Sequence, residues 1–224
     1  MSQRPQAPAC IEYDGKYLLR PVEPIDIPKI ERALHDSLKE LQVYMSWSHA
    51  LQNRSQFLDR VVTQWWNYYR GDEFEMAMFD KSTGNFLVYT GFYPTARINP
   101  NCYEVGFWTS TVHRGKGFAT LATQIQIALI FEHFKGDRVE ITSNIENKAS
   151  LRVIEKCGFK YEGELRNFYP RGTPVMFEHG YTRERRVYLF SLIPEDRLTL
   201  PWYSECLKKI IVFPVNEPSY PLKK

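Results

Sequence analysis

One segment of this chain, residues 103–134, constrains its fold more than any other. It reads YEVGFWTS, then TVHRGKG, then FATLATQIQIALIFEHF. The first part has the aromatic and β-branched composition of a strand, and the last is an apolar run long enough for about four helical turns. A strand that enters a helix through a glycine turn predicts a sheet on which that helix packs.

The turn itself, residues 113–117, has the chemistry of an anion site. The first N–H groups of a helix lack backbone partners, and the helix dipole favours negative charge at that end. Gly115 and Gly117 would let the backbone approach a bulky anion, and Arg114 and Lys116 add positive charge. The turn therefore favours a phosphate or a diphosphate, although the two glycines alone are also compatible with a purely structural tight turn.

Neither of two common phosphate motifs fits this turn. Lys116 is followed by Gly117 rather than by Ser or Thr, so the P-loop pattern fails. The dinucleotide pattern G-x-G-x-x-G is incomplete, because Thr120 stands in its third glycine position. The anion and its carrier must be identified from other parts of the chain.

The periodicity of the remaining chain predicts an α+β protein with a mixed, mostly antiparallel sheet flanked by helices. Strands are predicted over residues 16–23, 74–80, 86–94, 103–110, 139–144, 159–169 and 185–193, and helices over 26–44, 55–70, 118–134 and 147–158. The organisation expected is a loose arm over 1–15, a single domain over 16–194, and a tail over 195–224. That tail docks on the domain, and residues 200–213 suggest a short amphipathic helix within it.

Composition narrows the class of protein. The chain has 224 residues and a formal net charge of +3, so charge gives no case for nucleic-acid binding. No apolar run approaches the roughly 20 residues that span a bilayer, which predicts no membrane partner and a cytoplasmic protein. The four cysteines are scattered and read as free thiols, and the five histidines lack metal-ligand spacing, so no metal is predicted.

Several segments together resemble the GNAT N-acetyltransferases. Arg114-x-x-Gly117-x-Ala119 is similar to the R/Q-x-x-G-x-G/A signature of that family, and EVGFW at 104–108 resembles the strand before it. NKASLRVIEKCGF at 147–159 and YEGELR at 161–166 resemble two later motifs. With MSW at 45–47 and residues 71–86, the resemblance extends to the ribosomal-protein N-terminal acetyltransferase (RimJ/RimL-like) subgroup and covers roughly residues 17–193.

The resemblance implies a co-substrate, acetyl-CoA, held where one strand splays from its neighbour. In the family the glycine turn holds the diphosphate and the strand backbone pairs with the pantetheine arm. The cofactor-binding residues implied are Phe107, Trp108, Thr109, Arg114, Gly115, Lys116, Gly117, Phe118, Ala119, Asn144 and Asn147. His113 is expected to be a surface neighbour of the phosphates rather than a catalyst.

Two catalytic residues are predicted, Ser150 and Glu104. Ser150 matches the position that protonates the departing thiolate in many relatives, and Ile154 replaces the tyrosine that others use one turn later. Asn147 is expected to contact the pantetheine arm or to cap its helix. Glu104 is the candidate general base, with a salt bridge across the sheet as the structural alternative. The subgroup also has an acidic residue where this chain has Phe168 and Tyr169, which puts the base assignment in doubt.

The acceptor is the least constrained part of the prediction. A protein or peptide N-terminus is the first expectation, a small amine such as an amino sugar, polyamine or amino acid is the second, and an acyl-CoA-binding module without turnover is the third. The long segment 167–184 is predicted to wall the acceptor groove. Five aromatic residues either line that groove or pack in the core: Trp47, Trp65, Trp66, Tyr68 and Tyr69. The protein is expected to be a monomer or a homodimer.

Overall fold

The computed structural model describes residues 6–50, 54–95 and 99–215, and it contains a nine-stranded sheet. The strands are β1 Pro8–Tyr13, β2 Tyr17–Arg20, β3 Phe74–Asp80, β4 Phe86–Pro94, β5 Cys102–Thr109, β6 Arg138–Asn144, β7 Lys160–Leu165, β8 Val187–Leu192 and β9 Ile210–Pro214. Their order across the sheet is β7-β8-β6-β5-β4-β3-β2-β1-β9. Only the β5–β6 pair is parallel within these residues, so the predicted mixed, mostly antiparallel α+β sheet is confirmed.

Helices cover both faces of the sheet. They are α1 Ile27–Tyr44, α2 Arg54–Arg70, α3 Phe118–Glu132, α4 Lys148–Cys157, α5 Pro174–Glu178 and α6 Tyr203–Lys209. One apolar cluster joins α3 and α6 to the middle of the sheet, and a second joins α1 and α2 to Ala77, Phe79, Phe86 and Trp108. The two layers fix the sheet from both sides and leave its strand ends available for a site.

Helix α3 has the most buried surface of the helices. Its residues from Ile125 to Phe131 are all buried, including the polar Gln126. A helix that is apolar around most of its circumference belongs inside a protein, and α3 lies between the sheet, α4 and α6. This burial anchors the glycine turn that precedes α3, so the turn is held by a rigid element.

The expected loose arm over residues 1–15 was wrong where the structure describes it. Residues 8–13 form β1, which pairs with both β2 and β9. Ile11 is fully buried, and the Tyr68 hydroxyl donates a hydrogen bond to the Pro8 carbonyl at 2.8 Å. The alternation in PACIEY is short and contains a proline, which is why it reads as an arm from sequence.

The segment after residue 194 belongs to the same sheet. A 3₁₀ turn over Pro194–Thr199 leads into α6, and β9 follows directly. The helix expected over 200–213 therefore ends at Lys209, because the β-branched run that follows extends as a strand beside β1. Two smaller differences concern β7, which ends at Leu165 rather than 169, and α5, which lies in the predicted loop.

Candidate active site

The strands β5 and β6 splay apart in the middle of the sheet. Their parallel pairing covers three positions and stops at Glu104–Glu140. Beyond that point β5 continues with β4 as far as Thr109, and β6 continues with β8 as far as Asn144. The side of β5 that faces the opening therefore has no ladder partner from β6 over residues 105–109. Backbone groups there can pair with an extended ligand.

The glycine turn lies at the end of this opening. Gly115 and Gly117 have φ angles of 71° and 85°, and Gly117 is the N-cap of α3. A Cβ atom built on either glycine would meet nothing within 4 Å. The backbone conformation, rather than crowding by protein atoms, therefore requires glycine at these positions. The turn faces open space, as a site for a bulky anion requires, with the unpaired first N–H groups of α3 beside it.

Two cavities meet at the splayed strands. A cleft of about 680 Å³ runs from the glycine turn along α4 and the end of α1. A second cavity, of about 270 Å³, lies over β3, β4 and β5. Five residues line both: Met45, Phe107, Trp108, Asn147 and Ser150. A donor in the cleft and an acceptor in the smaller cavity would therefore meet beside Ser150.

Most of the residues implied for the cofactor line the cleft. They are Phe107, Trp108, Thr109, Arg114, Gly115, Gly117, Phe118, Ala119 and Asn147. Lys116 is exposed and does not line it. His113 does line it, and partial burial and the charge of Lys116 lower its pKa. The position of His113 beside the turn is compatible with the expectation of a surface or phosphate-neighbouring residue, which stays a prediction.

The structure places Asn144 outside both cavities. Its side chain is fully buried; the amide nitrogen donates to the Glu184 carbonyl at 2.8 Å and the amide oxygen accepts from the Glu146 backbone at 2.9 Å. Both ends of the amide are thus used to hold the segments after β6 and before β8. The expected cofactor contact of Asn144 is replaced by a structural role.

Asn147 and Ser150 are fixed together at the start of α4. The Asn147 side-chain oxygen caps the helix by accepting a hydrogen bond from the Ser150 backbone N–H at 3.1 Å. Both side chains still line the two cavities, so capping and ligand contact coexist. Ile154, at the position where other relatives have a tyrosine, is buried in the core. Among the residues of α4, Ser150 is therefore the hydroxyl group at the junction.

Glu104 lies in the smaller cavity, across the splay from β6. Its carboxylate accepts a hydrogen bond from the Thr142 hydroxyl at 2.8 Å. Arg138, one strand away, pairs instead with Glu140 and Glu162, at 2.7 and 2.6 Å. Glu104 is therefore a carboxylate that lines the smaller cavity, and its role as the general base stays a prediction.

A second carboxylate, Glu75, lines the same cavity and was missed from sequence. It is nearly buried and accepts hydrogen bonds from the hydroxyls of Tyr93 at 2.5 Å and Tyr89 at 3.1 Å. Burial, against the effect of these hydrogen bonds, raises its pKa. Its side chain lies beside Gly91 of β4, because a Cβ atom built on that glycine would lie 3.1 Å from the Glu75 Cγ. The signal available was a charged residue inside the apolar strand FEMAMFD.

Tyr169 also lines the smaller cavity, at the place where the subgroup has an acidic residue. Burial and the nearby Tyr181 raise its pKa to about 12, so the phenol stays protonated. It is therefore a hydrogen-bond donor and not a base at neutral pH. This leaves Glu104 and Glu75 as the carboxylates in that cavity.

The segment between β7 and β8 reaches the smaller cavity through Tyr169 and docks on the end of α1. The Thr182 backbone N–H donates to the Val43 carbonyl at 2.9 Å, and the His179 ring stacks on His49 with centroids 5.7 Å apart. The backbone N–H groups of Phe168 and Tyr169 both reach the Arg185 carbonyl, at 2.8 and 3.1 Å. The loop is thus tied at its base and docked on α1.

The five aromatic residues considered for the groove have different positions. Trp47 lines the smaller cavity, beneath the Arg60 guanidinium at 4.8 Å. Tyr68 is a core residue, whereas Trp66 and Tyr69 are exposed on α2, and Trp65 contacts Tyr69. The helical spacing of these residues predicts their common helix but not which side of it faces the sheet.

No group of three or more His, Cys, Asp or Glu residues is arranged to hold a metal ion in residues 6–50, 54–95 and 99–215. Over the same residues, no helix has the length and apolarity needed to cross a membrane. All four cysteines are free thiols, three of them buried.

Comparison with known proteins agrees with this geometry. The family model described as an acetyltransferase (GNAT) domain matches residues 16–160. The putative ribosomal N-acetyltransferase YdaF of Bacillus subtilis is 23% identical over 152 residues, which are 66% of this chain and 80% of YdaF. An uncharacterised protein of the same organism is 28% identical over 49% of this chain, and the match spans 66% of that relative's length.

Two solved structures share the fold. RimJ of Mycobacterium smegmatis, in complex with CoA-disulfide, has a TM-score of 0.71 at 18% identity over 92% of this chain and 96% of its own. RimL, a ribosomal L7/L12 alpha-N-protein acetyltransferase in complex with coenzyme A, has a TM-score of 0.71 at 17% identity, over 82% and 97% of the chains. At these identities the likeness concerns the fold.

Proposed function

The chain belongs to the GNAT family of N-acetyltransferases, for which acetyl-CoA is the co-substrate, and on this premise we propose that its acceptor is the free N-terminus of a peptide or protein. The observation that carries the proposal is the junction of the two cavities beside Ser150. Donor and acceptor would enter from opposite sides of the splayed strands and meet there. This arrangement supports direct transfer through a ternary complex.

The size of the smaller cavity supports a chain end as the acceptor. At about 270 Å³ it lies below the roughly 300–1,000 Å³ typical of small-molecule sites. It therefore suits the terminal part of a longer molecule, whose remainder stays outside. YdaF is described as a putative ribosomal N-acetyltransferase and RimL as a ribosomal L7/L12 alpha-N-protein acetyltransferase, and both descriptions favour the same class of acceptor.

Each step of the proposed transfer has a residue of this chain beside it. Glu104 would accept the proton of the incoming ammonium through a water molecule, which leaves a neutral amine able to attack the thioester carbonyl. Backbone N–H groups of β5 along the open side of the splay would polarise that carbonyl. The Ser150 hydroxyl would donate a hydrogen bond or a proton to the departing thiolate.

Steady-state release of the CoA thiol tests this function. Acetyl-CoA is supplied with a peptide that has a free N-terminus and no lysine, and then with a lysine-containing peptide whose N-terminus is blocked. An amino sugar, a polyamine and a free amino acid complete the panel. We expect turnover with the first peptide, a mass gain of one acetyl group at its N-terminus, and initial-rate lines that intersect, as a ternary complex requires.

Three results would contradict the proposal. Turnover of a small amine without turnover of the free-N-terminus peptide would move the acceptor to the small-amine class. Binding of acetyl-CoA by calorimetry without turnover of any acceptor would instead support an acyl-CoA-binding module. Parallel initial-rate lines would exclude the ternary complex, because they indicate an acetylated enzyme.

The loop between β7 and β8 gives a second test of acceptor choice. Its base is closed by the hydrogen bonds of Phe168 and Tyr169 to Arg185, so a deletion of residues 170–181 leaves those anchors in the chain. We expect the deletion to change the order of preference among acceptor peptides and to leave the Kd of acetyl-CoA unchanged. An unchanged acceptor preference would mean that this loop does not wall the acceptor site.

A further inference from the structure

Helix α4 carries a line of three basic residues along the wall of the cleft. Lys148, Arg152 and Lys156 recur at every fourth position, so they share one face of the helix. All three line the cleft of about 680 Å³, on the wall opposite the end of α1. We refer to these three residues as the basic stripe. None of them has a part in the transfer steps described above.

Salt bridges within the described protein do not neutralise the basic stripe, so its cations are available to a ligand. Arg152 pairs with Glu155, but both side chains are about two-thirds exposed, at 64% and 67%, so that pair contributes little. Lys148 and Lys156 form no salt bridge with another residue that the structure describes. Cations held along a cleft wall without fixed partners are suited to an anionic ligand.

The stripe extends from the reaction junction to the glycine turn. Lys148 precedes Ser150 by two residues at one end. At the other end Lys156 adjoins Cys157, whose thiol lies 3.7 Å from the Thr120 carbonyl in the first turn of α3. The stripe and the turn are therefore two separate sources of positive potential on one cleft, and Arg152 and Lys156 lie at the turn end.

The acidic residues of the cleft do not neutralise the stripe. Glu40 lies 3.9 Å from Arg114, across the cleft from α4. Glu146 accepts a hydrogen bond from the Thr182 hydroxyl at 3.0 Å. Both carboxylates thus have partners outside the stripe. A ligand whose diphosphate occupied the turn would still leave three cations on the other wall.

Coenzyme A carries a second anionic group of the kind this wall would bind. Besides its diphosphate it has a 3′-phosphate monoester, a group with a charge of about −1.5 to −2 at neutral pH that arginine and lysine bind well. We propose that Arg152 and Lys156, at the turn end of the basic stripe, bind the 3′-phosphate and give the protein a preference for coenzyme A over its 3′-dephospho form. This inference rests on the use of acetyl-CoA in the proposed function.

Calorimetric titration with CoA and with 3′-dephospho-CoA tests the assignment without relying on a variant. For the unaltered protein we expect CoA to bind about tenfold or more tightly than 3′-dephospho-CoA, the range expected for charge-assisted hydrogen bonds. In the double variant Arg152→Gln/Lys156→Gln the two ligands should bind equally. The Kd of 3′-dephospho-CoA should remain within about threefold of its original value.

A matched control removes two lysines from another helix. Lys208→Gln/Lys209→Gln on α6 loses a similar amount of positive charge away from the cleft, and it should keep the full preference for CoA. Equal binding of both ligands by the unaltered protein would overturn the assignment, and so would a preference that persists in the double variant. Failure of both ligands to bind the unaltered protein would instead overturn the proposed function itself, and this inference with it.

Discussion

At the scale of single residues, the site depends on groups whose surroundings decide their chemistry. Glu104, Glu75 and Tyr169 line one small cavity, but they differ in what they can do there. Tyr169 remains a protonated phenol, and Glu75 is held by two tyrosine hydroxyls in a buried position. Glu104 accepts a hydrogen bond from Thr142 at the splay. Substituting Glu104 and Glu75 one at a time distinguishes the roles of the two carboxylates.

The first prediction concerns Glu104→Gln. An α-amine has a pKa near 8, so at pH 7 most of the acceptor is an ammonium that needs a base. We expect Glu104→Gln to lower kcat/KM about 100-fold at pH 7, and less as the pH approaches 9 and the amine loses its proton unaided. A pH profile of thiol release from pH 6 to 9 measures this.

Glu75→Gln is the matched control for that profile. The amide of Glu75→Gln has one oxygen that can accept from the Tyr93 hydroxyl. Its NH2 group can donate to the Tyr89 hydroxyl, which itself donates to the Gln64 side-chain oxygen at 2.5 Å. We expect kcat/KM to fall less than tenfold, without a change in the shape of the pH profile. The reverse pattern, with the pH-dependent loss in Glu75→Gln, would assign the base to Glu75.

The second prediction concerns Ser150→Ala. A thiol is a good leaving group, with a reference pKa near 8.5, so help from a weak acid should be modest. We expect kcat to fall about 10- to 100-fold while the Kd of acetyl-CoA changes less than threefold. Ser143→Ala, in the same smaller cavity, removes another hydroxyl and should leave kcat within a few fold. Equal losses in both variants would exclude a specific role for Ser150.

At the scale of secondary-structure elements, the turn before α3 depends on backbone conformation. Gly117 has a φ of 85° and open space where a side chain would project. Alanine would therefore fit sterically but would disfavour the conformation that directs the N–H groups of α3 toward the cleft. The glycine is thus expected to matter more for ligand affinity than for packing.

The third prediction follows from that distinction. We expect Gly117→Ala to lower stability by about 1 kcal/mol and to weaken acetyl-CoA binding about tenfold or more. Gly15→Ala is a matched control, since Gly15 has a φ of 66° and also has nothing within 4 Å of a built Cβ. It should lose similar stability in urea denaturation and bind acetyl-CoA normally. Normal binding by Gly117→Ala would reduce the turn to a structural feature.

The sequence predicted the central elements better than the edges of the sheet. Strands β3 to β6 and helices α1 to α4 have strong periodicity or clear end signals such as Asn147 and Gly158, and their positions were predicted to within a few residues. β1 was missed because its alternation is short and contains a proline, and because one of its two ladder partners, β9, is about 200 residues away along the chain. No local pattern reports such a distant partner.

The residues of the site also differ in how well the sequence predicts them. Residues close together in sequence, such as those of the glycine turn, could be assigned to the cleft from motifs. Glu75 and Tyr169 come from a distant strand and a loop, and only the fold brings them to Glu104. Asn144 was predicted to bind the cofactor, but its amide forms hydrogen bonds with the backbones of Glu184 and Glu146. The sequence alone does not show these contacts.

At the scale of the whole molecule, both ends of the described chain contribute to one sheet. β1 and β9 pair over residues 8–13 and 210–214, and the Ile11 side chain is buried beside them. The edge strand β9 exposes Ile211 by 52%, whereas Ile11 is fully buried. Two isoleucines on adjacent strands therefore differ mainly in burial.

The fourth prediction uses this pair. We expect Ile11→Ala to lower the free energy of unfolding by about 2–5 kcal/mol, because it leaves a cavity in the core. Ile211→Ala should change it by less than about 0.5 kcal/mol. Urea denaturation followed by circular dichroism measures both. Equal and small effects would mean that residues 8–13 are a dispensable arm in solution.

The pairing of β1 with β9 also sets an order of events during synthesis. β1 emerges from the ribosome before the other described strands and can pair with β2 soon after, but the strand that covers its other side is made about 200 residues later. Until then the nascent chain presents an open strand edge, the kind of surface that joins with other chains. Slow elongation late in the message should therefore favour aggregation more than a pause between β1 and β2.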